Sequence, residues 1–224
     1  MMPKFVTLNT SLAESIRKSM ELNSKPFLSE VIDPKRVTEC PRRLYYCCSG
    51  HLPEKPQSCL EGAHNEYMKQ KWLHIFAKSS AITIMDKNVS VSDCNYNLAG
   101  LIDVVVKLDE EILLVTFYSV VDADFQMIRE NGAFKKHVIE VMINAWLMER
   151  GKGILFYENR NTGEYLIYHV DIFSPIIDTV EQKCLQMMGH KLTGKIPLKP
   201  YKNKLAKECK ICEFATKCWQ IKGA

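Results

Sequence analysis

Between residues 81 and 121 the chain runs through four apolar, β-branched stretches: AITIMD, VSVSD, AGLIDVVVKL and EILLVTFYSVV. Such residues suit a pleated, half-buried surface, so four strands are expected, with Asp109-Glu110 as the hairpin turn between the last two. Helical spacing of apolar positions flanks this block. Ser11 with Glu14 three residues on is a capping box and predicts a helix over 11–22. Asp33-Pro34 supplies an N-cap and first-turn pair that opens a short helical region containing Cys40. His51 to Gln57, with two prolines, reads as a loop. Ser58 then caps a long helix reaching residue 78, with Leu60, Tyr67, Trp72, Leu73, Ile75 and Phe76 among its apolar positions. Helical patterns return at 123–130 and 134–150. GILFYE and EYLIYHV form a second hairpin across the turn NRNTG, and a helix over 175–192 leads into a basic, proline-containing tail. The order (helices, β-meander, helices, hairpin, helix) predicts an α/β layered fold with a mixed sheet that starts antiparallel.

Composition narrows this picture without redirecting it. A chain of 224 residues, 46% hydrophobic and 25% charged, can bury a full core as one domain, with room for a small appendage. A net charge of +4 is compatible with nucleic acid and does not demand it. The opening MMPKFVTLNTSLAESIRKSM has no apolar leader core, and no run of 18 apolar residues occurs, so an intracellular, cytoplasmic setting without a membrane is expected. In that reducing setting nine cysteines favour metal or cluster ligation over disulfides.

Three of the nine carry the strongest chemical signal. Cys209, Cys212 and Cys218 stand as C-x2-C-x5-C in ECKICEFATKCW. Two thiolates held two residues apart can face one metal centre with little backbone strain, and a third closes most of a coordination shell. Cys40, in TECPRRLYY, is the best fourth ligand. The set suits a [4Fe–4S] cluster, with zinc as the alternative, and would clip the N-terminal region to the C-terminal tail. Cys47, Cys48, Cys59, Cys94 and Cys184 read as ordinary small residues.

Several segments then fall into the order of one family. CPRRLYY, LEGAHNEYMKQKW, GLIDVVVKLDEEILLVTFYSV, FKKHVIEVMINAWLMERGKGILFYENR and the triple-cysteine tail together resemble the iron–sulfur RecB-like exonucleases of the PD-(D/E)XK superfamily. That group includes the CRISPR-associated RecB-like nuclease, phage-encoded relatives and the AddB nuclease domain. The resemblance spans residues 37 to 219. It implies a restriction-endonuclease-like core with a mixed sheet flanked by helices and a cluster clip. It also divides the chain into an N-terminal helical extension (1–36), the nuclease-fold domain (37–219) and a tail (220–224). In this family a strand aspartate and glutamate hold Mn²⁺ or Mg²⁺, the following lysine orients water, and a helix histidine completes the metal shell.

Measured against that pattern, the chain keeps its frame and loses its chemistry. Asp103 stands at the first carboxylate, but Thr116 falls at the glutamate position and Tyr118 at the lysine position; Ser119 still matches the residue after that lysine. His64 lies two residues after Gly62, closer than the family spacing, and Glu66 is nearer that place. On the later helix His137 matches, while Glu140 replaces glutamine and Asn144 replaces tyrosine. His64, Glu66, Asp103 and Glu111 remain candidates for a divalent ion, with Glu66, Glu111 or Glu140 as the possible second carboxylate. A solvated strand aspartate and surface helix charges explain the same residues without any metal. Arg42, Arg43, His137, Lys202 and Lys204, with Lys195, Lys199 and Lys207, are candidates to track a DNA backbone, or else form a solvated basic face. The expected function is a nuclease-fold protein that has lost hydrolysis and binds single-stranded DNA or DNA ends, or serves within a DNA-handling assembly. The alternatives are an active exonuclease with relocated ligands and a purely structural protein reusing the fold.

Overall fold

The computed structural model describes residues 30–53 and 59–220. The helix expected over 11–22, the cap at Ser58 and the last four residues lie outside them. A single 3-10 turn, Pro34–Arg36, is capped by Asp33, whose carboxylate accepts from Lys35 N–H at 2.9 Å. The following helix is separate: α1 spans Pro41–Cys48, with Cys40 at its N-cap and proline in its first turn. Asp33-Pro34 therefore opens only the turn, and Cys40 precedes a second helix instead of lying within the first. Helix α2 covers Cys59–Ala77.

Five strands follow: β1 Ile82–Asp93, β2 Leu98–Leu108, β3 Glu111–Val120, β4 Lys152–Asn159 and β5 Tyr165–Asp171. They lie side by side in sequence order, antiparallel except for the parallel β3–β4 pair. Helices α3 (Asp122–Asn131) and α4 (Lys135–Leu147) make the crossover that a parallel pair requires. Strands β3 and β4 are interior and covered on both faces, so LLVTF and GILFYEN are buried almost without interruption. The β2–β3 hairpin turns at Asp109-Glu110, with Asp109 at φ 52. AITIMD and VSVSD belong to one strand, not two. The pairing with β2 slips at Met85, a bulge after which Asp86 and Lys87 stay in the ladder and Asn88 takes φ 53.

Helix α2 packs Met68 and Leu73 on one face of the sheet, against Val104, Val115, Phe117 and Phe156. Helix α4 packs Val141, Met142 and Ala145 on the other, against Val105, Leu114, Leu155 and Tyr157. Helix α5 (Ser174–Thr193) stops at Gly194, which adopts the left-handed φ 66 that ends helices. The chain then returns to α1 through the short helices α6 (Lys207–Lys210) and α7 (Ala215–Gln220). There Phe214 is buried against Tyr46, with ring centroids 5.4 Å apart. Ile32 is fully buried in the same cluster and bridges to Leu98, so the packed unit reaches back at least to residue 32. Among the described residues no helix is long and apolar enough to cross a membrane.

Candidate functional site

Strands β2 and β3 pair from Leu108–Glu111 only as far as Val104–Val115, and beyond that they part. Asp103 stands where they separate. Its Oδ2 accepts the Phe117 N–H at 2.8 Å, satisfying a donor that the ladder no longer uses. Across β1, Asn88 lies between the paired positions Lys87–Val104 and Val89–Ile102, facing Asp103. Into this fork comes Lys69 from α2. Its Nζ is 3.7 Å from Asp103 Oδ1, 2.6 Å from Glu66 and 3.1 Å from Asn88 Oδ1. Burial raises the Asp103 pKa, while the Phe117 N–H, Lys69 and Lys35 pull it back and Glu66 adds to the rise. Glu66 is itself held below its ordinary value by hydrogen bonds from Lys69 and Gln70.

Thr116 and Tyr118, the two β3 residues that depart from the motif the sequence resembles, are both accommodated internally. Thr116 is buried, next in register to face Asp103. Tyr118 hydrogen-bonds Glu140 of α4 through its hydroxyl, and its ring stacks on His137 with centroids 3.6 Å apart. His137 Nδ1 in turn lies 2.9 Å from the Tyr157 hydroxyl. Burial drives His137 down to about 3, keeping it neutral, and lifts Glu140 to about 7 despite Lys35 at 3.9 Å. Burial, with Glu140 next to it, likewise pushes Tyr118 well above an ordinary phenol. One turn further along α4, Asn144 presses its amide oxygen onto Gly100. A Cβ at Gly100 would overlap Asn144 Oδ1 and come within 2.9 Å of Pro34 Cγ, which is why the G-x-x-D segment begins with glycine.

This donor set does not fit a catalytic divalent ion. A hard cation wants several carboxylate or carbonyl oxygens. Here one strand carboxylate already faces an ammonium, its partner position is an uncharged threonine, and the lysine position is a tyrosine engaged elsewhere. Among the described residues, no three His, Cys, Asp or Glu side chains stand ready to hold a metal. His64 is exposed on α2. Glu111 pairs with Lys152 at the hairpin end of β3, away from Asp103. Lys69 gave no signal in the sequence, where it resembles any other helix lysine.

A second constellation joins α1 to the tail. Cys40, Cys209, Cys212 and Cys218 line one cavity of ≈ 290 Å³, together with Tyr46, Tyr201 and Trp219. Among the described residues, these cysteines do not form a group placed to hold a metal ion. Burial raises the Cys209 and Cys212 thiols, and pushes Cys47 up to about 12 and Cys184 to about 11, so the last two are inert thiols at neutral pH.

The arginines assigned to DNA hold this region together instead. Arg42 is 1% exposed and donates to Pro197 O at 2.6 Å and Cys218 O at 3.2 Å. Arg43 pairs with Glu39 at 3.1 Å and Glu213 at 2.8 Å, and Arg36 joins Glu213 at 3.3 Å. Burial works to raise the Glu213 pKa, but its backbone N–H and the two guanidiniums outweigh it and hold the carboxyl below its ordinary value. Glu213, inside the cysteine motif, was not singled out from the sequence. His137 is also internal, buried beneath Phe134 and the Tyr118 ring. Lys202 and Lys204 are exposed on the segment before α6.

No protein-family model matches the chain, and no curated protein matches it by sequence. Solved structures do match. The alkaline exonuclease of Laribacter hongkongensis superimposes with a TM-score of 0.57 at 8% identity, over 79% of this chain and 93% of that one. The same enzyme in complex with dAMP matches over the same shares with the same score. A protein designated SSO0001 matches with a TM-score of 0.55 at 14% identity, over 95% of this chain and 96% of its own. At these identities the likeness is one of fold, a fold this chain shares with that alkaline exonuclease.

Proposed function

We propose that this chain is a nuclease-fold DNA-processing protein that has lost metal-dependent hydrolysis and acts by binding DNA, with single strands or ends as the target. The observation that carries this is the occupancy of the cleft: Asp103 faces the Lys69 ammonium, and Tyr118, at the lysine position, is committed to Glu140. Hydrolysing a phosphodiester in this fold needs an ion to polarise the phosphate and lower the pKa of water. Neither Thr116 nor Tyr118 supplies a ligand or a charge toward that end. The exonuclease crystallised with dAMP shares the fold, which supports nucleotide chemistry as the ligand class.

We propose further that Cys40, Cys209, Cys212 and Cys218 hold a [4Fe–4S] cluster whose role is to cross-link α1 and the tail. Four thiols around one space is the donor set such a cluster takes.

The test is metal analysis with a nuclease and binding assay on anaerobically purified protein, using labelled single- and double-stranded DNA with Mn²⁺ and Mg²⁺. Iron, saturable DNA binding and no cleavage is the expected result. Cleavage abolished by Asp103→Ala would replace this reading with an active exonuclease whose ligands have moved. Absence of both binding and cleavage would leave a structural role for the fold. Zinc in place of iron would overturn the cluster alone.

A further inference from the structure

The fork between β2 and β3 contains a positive charge of its own. The Lys69 side chain is 10% exposed, and its ammonium reaches oxygens on three different elements: Glu66 on α2, Asn88 on β1 and Asp103 on β2. Asn88 is presented by the bulged part of β1, with its backbone at φ 53. Two carboxylates and one amide oxygen are hard oxygen donors of the kind a divalent ion takes, though fewer than a catalytic ion needs. They are also what an ammonium needs, with three N–H donors and no acceptor. A lysine this enclosed stays in place only because those oxygens compensate the loss of water around it.

We infer that Lys69 is a built-in substitute for the divalent cation: its ammonium occupies the charge position of a hydrolytic cleft and holds the fork together without metal. This rests on the reading above that metal-dependent hydrolysis is lost. An ammonium neutralises Asp103 and donates hydrogen bonds to an approaching phosphate oxygen, but it does not turn bound water into hydroxide as a metal ion does. It also repels a dication, because an ion held by Asp103 and Glu66 would lie beside the ammonium in the same enclosed space. The cleft therefore keeps the electrostatics that attract a phosphate and excludes the ion that would cut it. DNA binding by this chain should be insensitive to EDTA and to added Mn²⁺ once the ionic strength is matched.

The experiment is a Mn²⁺ titration of the anaerobically purified full chain, read by electron paramagnetic resonance as loss of the free-ion signal. It compares wild type, Lys69→Met and Lys69→Met/Asp103→Asn; methionine keeps most of the apolar stem. The expected result is no saturable binding at the fork in wild type, gain of one Mn²⁺ site in Lys69→Met, and its loss in the double variant. A folded Lys69→Met chain that gains no site overturns the inference. An independent measurement needs no variant: Mn²⁺ in wild type should leave the Phe117 amide resonance sharp, and selective broadening there would overturn the inference too. Mn²⁺ bound by wild type without cleavage would sink this inference and leave the loss of hydrolysis standing. Cleavage by wild type that disappears in Lys69→Met would sink both, making Lys69 a relocated catalytic lysine.

Discussion

The Tyr118 hydroxyl hydrogen-bonds the Glu140 carboxyl across the space between β3 and α4. A lysine at 118 would have carried charge toward Asp103; the tyrosine turns instead to α4, where His137 stacks on its ring and Tyr157 fixes the imidazole. Glu140 is 2% exposed and tolerable there because the phenol donates to it and Lys35 lies near. Two substitutions that each look damaging are thus one interaction. Removing either partner alone strands a buried polar group.

That pair makes stability depend on pH in a defined direction. Burial raises the folded-state pKa of Glu140 to about 7, with Lys35 and Tyr118 opposing the rise and Asp33 and Asp103 adding to it. The unfolded value is ordinary, about 4.3. Between the two the folded state binds more protons, so this carboxyl's contribution is most favourable at low pH and is lost as pH rises through about 7. Glu140→Gln removes the titration. The variant should match wild type below pH 4 and exceed it at pH 8 by roughly 3–4 kcal/mol, since one pKa unit is worth about 1.4 kcal/mol. His137 contributes the reverse slope, losing stability as pH falls from 6.5 toward about 3. The difference between the two denaturation series therefore isolates Glu140. Parallel curves across pH 4–8 would show the carboxyl is not titrating where its burial places it.

Gly100 and Asn144 form a steric lock at the base of the fork. Gly100→Ala puts a methyl into Asn144 Oδ1 and against Pro34. The expected loss is about 1–3 kcal/mol, typical of overpacking a filled site. Asn144→Ala made alongside it should recover part of that loss. A double-variant cycle by urea unfolding tests this, and strict additivity of the two changes would mean that they do not touch.

The sheet was legible because interior strands β3 and β4 have to be apolar on both faces, and EILLVTFYSVV and GILFYE can be little else. AITIMD and VSVSD read as two stretches because Lys87 and Asn88 interrupt the apolar pattern, yet β1 runs through both, with its slip at Met85 and Asn88 at φ 53. That Cys40, Cys209, Cys212 and Cys218 would line one space was legible because most of that signal is local spacing. Lys69 was not, because its position follows from where β2 and β3 separate, a property of two strands that no helix pattern records. Arg42 and Arg43 are adjacent and alike in sequence. Yet α1 turns the first inward to the carbonyls of Pro197 and Cys218 and the second toward Glu213. Both were assigned to DNA for want of that geometry.

Arg42 therefore controls how firmly the cysteine tail is seated. Arg42→Met keeps the apolar stem but leaves Pro197 O and Cys218 O without their donor. The expected loss is on the order of 2–4 kcal/mol, as for a buried charged donor removed from its acceptors. Amide exchange across residues 195–220 should accelerate, while β3 and β4 remain protected. Uniform acceleration through the sheet would mean that the tail and the sheet unfold together, and that Arg42 is not a local clip.

Rebuilding hydrolysis tests the cleft as a whole. Thr116→Glu with Tyr118→Lys returns a second carboxylate and a lysine to β3, in the register set by the Val104–Val115 pair. With Lys69 still between Glu66 and Asp103, the fork keeps its own ammonium, so the double variant should bind DNA and cut nothing. Adding Lys69→Met vacates the charge position, and the triple variant should show Mn²⁺-dependent cleavage of single-stranded DNA, abolished by EDTA. Glu140 retains a partner throughout, because a lysine at 118 can pair with it. That same pairing would restrain the lysine, and Glu140→Gln in the triple background should raise the rate further. Cleavage by the double variant as fast as by the triple would show that Lys69 does not keep metal out. A folded triple variant that binds Mn²⁺ yet never cleaves would place the missing chemistry outside β3 and return attention to the helix positions His64 and Asn144.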